Sequence, residues 1–324
     1  MSVLDLIGNT PLIPLDFPER GHRILAKCEF LNPSGSIKDR IARFIITRAI
    51  ETGDLKEGSI IVECSSGNTG IAMSMVGAAC GFPVKIVMSE HASVERRKII
   101  EAYGGEVILF SERPDRIEYW KGVEITRSMA AEDPRVFLPR QFENPLNVED
   151  HDQFTGKEIL RQVPVPISAF VAGYGTGGTL MGVARALRRA YPKVEIVAME
   201  PTEAALLSGE MPCMHSIEGI GDGFIPPLID VNAIDSTERV SSADAMIMTQ
   251  RLMHEFGLPV GTSSGANVLA SLNVMDRLAP GSVVVTVLCD RSERYFSTRL
   301  FTPQGSALER ARTRYGLSSP ADAL

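Results

Sequence analysis

From about residue 58 onward, short apolar and β-branched runs alternate with longer stretches of helical periodicity. Residues 60–64 (Ile-Ile-Val-Glu-Cys) predict a strand, residues 70–80 a helix rich in small and apolar side chains, and residues 84–88 a second strand. The alternation continues through 95–103 (helix), 106–110 (strand), 119–131 (helix) and 136–138 (strand). A second run opens with a strand over 167–172, a helix over 178–191 and a strand over 194–200. It closes with a helix over 264–278 and a strand over 282–288. Upstream of both runs, residues 24–29 read as a strand and 41–50 as a helix. Parallel strands need crossover helices, so this succession predicts an α/β protein of two doubly wound parallel-sheet domains with a cleft between them. Ligands of such sheets sit where the strands end and the next loops begin.

Two stretches break the pattern. Residues 139–155, followed by Pro164-Val165-Pro166, mark a crossover between the runs. Residues 203–227, with Gly219-Ile220-Gly221-Asp222-Gly223, make a long irregular connection, which favours a loop near the site over plain linker. Beyond Phe301 the chain reads as a short helix and a frayed end.

The 324 residues are 44% hydrophobic and 23% charged, enough apolar side chains for two cores. Against 40 Asp and Glu stand 33 Lys and Arg, a net charge of -7 that lacks the basic excess a phosphate backbone demands, so nucleic acid is not expected as a partner. The window 71–88 is interrupted by Ser74, Pro83 and Lys85, which argues against a membrane span. The amino terminus shows no basic region leading into an apolar stretch, so no secretory signal is expected. Five cysteines (Cys28, Cys64, Cys80, Cys213, Cys289), with no C-x-x-C pair, argue against a disulfide framework and a zinc site and for a reducing cytoplasm.

Three glycine-rich loops follow predicted strands. Gly173-Tyr174-Gly175-Thr176-Gly177-Gly178-Thr179 opens a helix, where bare backbone amides and the helix dipole favour a phosphate. It also satisfies G-x-G-x-x-G, and Glu200 ends the next strand about where a ribose-binding acid belongs, so a dinucleotide site is a competing reading. Ser65-Ser66-Gly67-Asn68-Thr69-Gly70 concentrates hydroxyls and an amide at a helix start, more than one N-cap needs, and suits a carboxylate or oxyanion. Gly261-Thr262-Ser263-Ser264-Gly265 matches the nucleophile elbow of α/β-hydrolases. That reading fails on chain order, because all five histidines precede Ser263.

Lys38, in Asn32-Pro33-Ser34-Gly35-Ser36-Ile37-Lys38-Asp39-Arg40, stands at a predicted helix start, where the dipole opposes a cation. A lysine of lowered pKa is a Schiff-base nucleophile for an aldehyde, and a phosphate-bearing aldehyde would use the Gly173–Thr179 glycines. With these motifs in this order, the chain resembles the cysteine synthase and cystathionine β-synthase family of pyridoxal-phosphate enzymes, of tryptophan synthase β-like fold. The match runs from Ile7-Gly8-Asn9-Thr10-Pro11-Leu12 to Glu293-Arg294-Tyr295-Phe296-Ser297-Thr298.

The resemblance implies that Lys38 carries pyridoxal 5'-phosphate and serves as the catalytic base. It implies that Asn68 contacts the ring hydroxyl oxygen and that Ser263 meets the pyridine nitrogen. Gly175, Thr176, Gly177, Gly178 and Thr179 would hold the phosphate. Ser65, Ser66, Gly67, Asn68 and Thr69 would take the substrate carboxylate together with Gln141. The implied reaction is β-replacement on an O-activated L-serine, O-acetylserine first, with sulfide, through an α-aminoacrylate to L-cysteine. The implied organisation is a larger cofactor domain (1–38 and 145–305), a smaller mobile domain (39–144) and a tail (306–324), assembled as a cytoplasmic homodimer. A serine acetyltransferase C-terminal peptide is a further partner that the resemblance suggests.

Three departures bear on specificity. Ser65 stands where the family usually has Thr. Cys289-Asp290-Arg291 resembles the B isozyme of O-acetylserine sulfhydrylase, which is thought to accept a wider range of nucleophiles. Asp222 adds a negative charge where relatives often carry a small residue. O-phosphoserine sulfhydrylase, cystathionine β-synthase and diaminopropionate synthase therefore stand as alternatives, with an NAD-dependent oxidoreductase and a non-catalytic cofactor-binding paralogue as remote ones.

Overall fold

The computed structural model describes residues 2–65, 67–111 and 119–301, so Ser66 and the predicted tail over 306–324 lie outside the described residues. In chain order the elements are β1 (Leu12–Phe17), β2 (His22–Cys28), α1 (Lys38–Thr52), β3 (Ile60–Cys64), α2 (Asn68–Cys80), β4 (Val84–Ser89), α3 (Val94–Ala102) and β5 (Glu106–Phe110). There follow α4 (Tyr119–Glu132), β6 (Val136–Phe137), α5 (Leu146–Asp150), α6 (Gly156–Gln162), β7 (Ala169–Gly173) and α7 (Gly178–Ala190). The last are β8 (Glu195–Pro201), β9 (Ser236–Val240), α8 (Ser242–Phe256), α9 (Thr262–Arg277) and β10 (Val284–Leu288).

Two sheets result. The larger has the order β1-β2-β10-β7-β8-β9 and the smaller β5-β4-β3-β6. All pairings are parallel except the outermost, β1 with β2, which is antiparallel. β10 runs down the middle of the larger sheet, and each of its five residues (VVTVL) is buried, as a strand covered on both faces requires. Apolar cores lie on each side of this sheet, one around Phe17, Val260 and Leu272, the other around Phe170, Leu180 and Val285. A third fills the smaller sheet around Ile61, Ile71 and Ile86. α2 is buried from Thr69 to Gly77, so it reads as a core helix and not an amphipathic one.

The predicted elements from 24–50, 60–138, 167–200 and 264–288 are present with small shifts at their ends. Three features depart from the sequence reading. β1 adds the antiparallel edge. β9 and α8 follow the long irregular connection and extend the larger sheet. The crossover at 139–155 is mostly helical: Pro145 precedes α5, a π-helical turn spans His151–Thr155, and α6 continues from it. Between Pro139 and Thr155 few residues are apolar and the wider π turn interrupts the regular helix, so no continuous 3.6-residue stripe marks this stretch.

Candidate active site

A cleft of about 980 Å³ opens where the loops after β3, β7 and β10 meet the start of α1. Lys38, Ser65, Asn68, Thr69, Gln141, Gly175, Thr176, Gly177, Thr179 and Ser263 all line it. Of the remaining sequence-predicted residues, Gly67 is pressed against the side chain of Arg96, which itself lines the cleft. Gly178 is pressed against Asn147, and Ser66 is outside the described residues.

One wall is made of backbone. Gly177 caps α7 at φ +86°, a conformation that glycine adopts without strain, and a Cβ on Gly175 would overlap the carbonyl oxygen of Gly219. The result is a helix N-terminus stripped of side-chain bulk and carrying only the hydroxyls of Thr176 and Thr179. Behind it, His151 accepts from or donates to Thr179 Oγ1 at 3.1 Å and Thr155 Oγ1 at 2.9 Å. Burial, helped by the charges of Arg40 and Lys38, pushes His151 down to about 3, so the imidazole is neutral here.

The opposite wall is made of side chains at the start of α2. Ser65 Oγ accepts from the amides of Gly67 (3.1 Å) and Gly70 (2.9 Å), capping the helix while it faces the cleft. Thr69 Oγ1 donates to Gln141 Oε1 at 2.6 Å, and Gln141 Nε2 donates to the Cys64 carbonyl (2.9 Å) and to Tyr119 Oη (3.2 Å). Tyr119 itself donates to the same Cys64 carbonyl. Below them Glu63 accepts from the amides of Cys64 (3.0 Å) and Gln141 (3.2 Å), and burial pushes its carboxyl up to about 8.

Lys38 is the first residue of α1, between the walls. Burial lowers its pKa, against the charges of Cys289, Asp222 and Asp290 that raise it. Desolvation therefore stabilises the neutral amine that imine formation and proton abstraction both need. The helix start is fixed from behind. Arg40, fully buried, pairs with Glu29 (2.6 Å) and Glu158 (2.7 Å), and Lys27 pairs with Glu158 (2.7 Å). Such a cluster is a specific lock more than a source of stability, because burying the charges costs much of what pairing returns.

At the far end Ser263 lies in the first turn of α9 beside Cys289, whose thiol burial pushes up to about 12. That thiol is inert as a nucleophile and lines the cleft as a small apolar group. Asn68 is held at both ends: its Nδ2 donates to Asp290 Oδ2 (2.6 Å) and its Oδ1 accepts from Arg294 (2.6 Å), while Tyr295 Oη donates to the same Asp290 oxygen (2.6 Å). Arg96 pairs with Glu218 and stacks over the Tyr295 ring at 4.7 Å, tying α3 to the 203–227 connection and the chain after β10. That connection is a loop at the site, as its length suggests, and Glu218, Gly219 and Asp222 face the cleft.

Sequence reasoning missed Tyr119, Glu63, Asn147, His151 and Arg96, all of which act through contacts that only folding creates. Tyr119 alone carried a signal, as an aromatic at the start of a predicted helix. Glu200 is fully buried and spent on Tyr174 Oη (2.7 Å), the Leu207 amide (2.7 Å) and Ser208 Oγ (2.9 Å). It cannot serve a ribose, which removes the dinucleotide reading.

The donor set fits pyridoxal phosphate. An amide-lined helix start without an acidic side chain from Gly175 to Thr179 suits the phosphate, a partly buried lysine of lowered pKa suits the aldehyde, and a neutral hydroxyl is available for the ring nitrogen. Fold and site thus define a pyridoxal-phosphate enzyme of the tryptophan synthase β-like type. Residues 3–290 match the family described as pyridoxal-phosphate dependent enzyme. The chain is 41% identical over 304 residues to a cysteine synthase of Staphylococcus aureus, covering 93% of this chain and 97% of that protein. Among solved structures, O-ureido-L-serine synthase superposes with a TM-score of 0.87 at 40% identity, covering 94% of this chain and 96% of the other. An O-acetylserine dependent cystathionine beta-synthase from Helicobacter pylori does so with 0.88 at 34%, covering 93% and 99%. The chain belongs to the pyridoxal-phosphate dependent enzymes, and within them to the cysteine synthase type. Among the described residues no helix is long and apolar enough to cross a membrane.

Proposed function

We propose that this enzyme makes L-cysteine from O-acetyl-L-serine and sulfide. The observation that carries the reading is the pairing, in one cleft, of an amide-lined anion site with a wall of hydroxyls and an amide from Ser65, Thr69 and Gln141, with Lys38 between them. The first suits a phosphate and the second an amino-acid carboxylate. Bound there, pyridoxal phosphate draws electron density from the amino acid's Cα and so eases departure of the β-substituent.

The residues of the chain do the rest. Gly175, Thr176, Gly177, Gly178 and Thr179 hold the phosphate. Ser263 gives the ring nitrogen a neutral partner, the second N–H of Asn68, whose first donates to Asp290, donates to the ring hydroxyl oxygen, and Lys38 anchors the cofactor. Ser65, Ser66, Gly67, Asn68, Thr69 and Gln141 orient the carboxylate. The neutral Lys38 amine removes the Cα proton and returns it after the nucleophile adds. The smaller domain, 39–144, closes against the larger one, 1–38 and 145–305, with Arg96 and Glu218 as its latch, and excludes water from the reacting carbons.

A second reading concerns the nucleophile only. Asp222 places a carboxylate in the cleft, close enough for its charge to reach Lys38 and Tyr119. A carboxylate disfavours an anion such as hydrosulfide and favours a neutral nucleophile that must lose a proton. Relatives named for cysteine, O-ureido-L-serine and cystathionine products show that the fold hosts different acceptors.

The test is the visible absorption of the purified protein on adding O-acetylserine and then sulfide. A cofactor band that changes with the first and returns with the second, with cysteine released, is the expected result. A band indifferent to O-acetylserine overturns this donor, and a return with thiols or hydroxyl compounds in place of sulfide selects the second reading. We further propose a cytoplasmic homodimer; Phe154, edge-on to the buried Phe44, and Leu6 are exposed apolar side chains that a second copy would cover. The carboxylate wall also suits the C-terminal carboxylate of a partner peptide, such as that of a serine acetyltransferase.

A further inference from the structure

One side chain joins the two walls of the cleft. Asn147, on α5, is fully buried, and its Nδ2 donates both to the carbonyl of Gln141 (2.8 Å) and to Thr176 Oγ1 (3.0 Å). Thr176 Oγ1 in turn accepts from the amide of Gly178, the first residue of α7, at 3.4 Å. Asn147 Oδ1 has no hydrogen-bond partner among the described residues and fills the space that a Cβ on Gly178 would take. The absence of a side chain at Gly178 is therefore what lets Asn147 reach Thr176.

The Gln141 end of this bridge is strained and clamped. Arg140, just before it, sits at φ +52°, a left-handed conformation that costs a non-glycine residue energy. The two peptides that flank the Gln141 Cα are each held, the one before it by Glu63 accepting from the Gln141 amide and the one after it by Asn147 donating to the Gln141 carbonyl. With Thr69, Cys64 and Tyr119 holding the side chain, each polar group of Gln141 has a partner. A shift of the Gln141 side chain must then move its Cα and the peptide that follows, and the carbonyl of that peptide must move Asn147. A primary amide suits the bridge: its two N–H donors serve two acceptors on different segments, and it brings no charge next to an anion site. A carboxylate of the same shape would set an acceptor against the Gln141 carbonyl, leaving only the Thr176 hydroxyl able to reverse and donate.

We infer that Asn147 is a positioning residue that couples the two binding sites. Occupation of the carboxylate wall by an amino acid changes the hydrogen bonding of the phosphate loop through Gln141, Asn147 and Thr176, and by reciprocity the cofactor phosphate sets Gln141 for the amino acid. The inference rests on the roles given to Gln141 and to the 175–179 loop under Proposed function. It adds a route between them that bypasses the cofactor ring.

The experiment uses the holoenzyme and two probes at once. L-Alanine, which has no β-leaving group, is titrated while the visible spectrum reports its reaction at Lys38 and the phosphorus resonance reports the phosphate loop. In the wild type both signals move together. In Asn147→Ala the visible change still saturates, at about tenfold more L-alanine, the scale of one or two lost hydrogen bonds. The phosphorus resonance then stays near its amino-acid-free position. With O-acetylserine, KM rises about tenfold and kcat changes less. Thr176→Val, which removes the acceptor together with one hydroxyl of the phosphate loop, shifts the resting phosphorus resonance and lowers cofactor affinity of its own; read at saturating cofactor it reproduces the loss of response to L-alanine, and the double variant is no worse in that response than either single one. If Asn147→Ala does not fold, Thr176→Val carries the test.

A phosphorus shift in the variants as large as in the wild type, at matched saturation, overturns the coupling, as does additivity in the double variant. A wild-type phosphorus signal that ignores L-alanine while the visible band responds also overturns the coupling but leaves the proposed function standing. A wild-type visible band indifferent to L-alanine and to O-acetylserine removes the proposed function and the coupling with it.

Discussion

The two walls of the cleft solve the same problem, holding an anion, by opposite means. At Gly175–Thr179 the chain removes side chains, because glycines bring backbone amides to the surface of a helix start, and the result is as rigid as the helix behind it. At Ser65–Thr69 and Gln141 the chain adds side chains, each held by another, and the wall is only as well placed as that network of hydrogen bonds. The first wall tolerates no added atoms and the second tolerates no lost donors. A phosphate that stays through every turnover suits the rigid wall, and a carboxylate that enters and leaves suits the adjustable one.

Lys38 belongs to neither wall, and its removal gives the largest expected effect. Lys38→Ala should abolish covalent attachment and lower turnover at least about a thousandfold, while the backbone wall still retains the cofactor by its phosphate. Visible spectra before and after gel filtration, with assays, check both halves, and loss of the cofactor altogether would break the claim that the phosphate wall suffices to hold it.

Next comes Gly175→Ala. The new Cβ meets the Gly219 carbonyl, a backbone atom that cannot rotate away, so cofactor affinity should fall about a hundredfold, corresponding to roughly 3 kcal/mol of overpacking. KM for the amino acid, measured at saturating cofactor, should move little. Gln141→Ala is its mirror image: KM rises about twentyfold, the scale of a hydrogen bond to a charged group, and cofactor titration is unchanged. Equal responses of both constants in either variant would dissolve the division of labour.

At constant pH near neutrality the contrast is smallest in the groups behind each wall, and it emerges as pH is changed. His151 supports the phosphate wall with a pKa pushed from 6.5 down to about 3. Between those values the unfolded chain binds a proton that the folded chain refuses, so stability falls as pH drops from about 6.5 toward 3, by at most about 1.4 kcal/mol per unit. Glu63 supports the carboxylate wall with a pKa pushed from 4.5 up to about 8. There the folded chain keeps a proton that the unfolded chain has lost, so stability falls as pH rises from about 4.5 to 8. Urea unfolding across pH should show His151→Gln flattening the acid limb and Glu63→Gln the alkaline one, and the reverse pattern would overturn the assignment.

The same contrast explains what could be read before folding. The phosphate wall was legible because its signal is local: glycines after a β-branched run and before a helix expose amides to a phosphate, whether or not it belongs to a dinucleotide. Lys38 and Ser65–Thr69 were legible as positions, since polar clusters at predicted helix starts face the ends of the strands. Their partners were not. Gln141 entered only through family resemblance, and Asn147 and His151 lay in a stretch whose π turn breaks the apolar period. The NAD-like motif shows the limit from the other side. Gly173-x-Gly175-x-x-Gly178 with Glu200 satisfies the spacing of a dinucleotide site, yet Glu200 is consumed by Tyr174, Leu207 and Ser208.

The order of apolar and polar residues was enough to establish two parallel α/β units, the three loops at their strand ends and the lysine between them, because strand period, helix period and glycine freedom are properties of a few neighbouring residues. Whether Glu200 faces a ligand, how far Lys38 is desolvated, what holds Gln141 and what ties one wall to the other are settled between residues far apart in the chain, as Asn68 and Asp290 are at 222 positions. Burial and hydrogen-bond partnership belong to pairs of atoms brought together in space, and no local pattern encodes the second member of the pair.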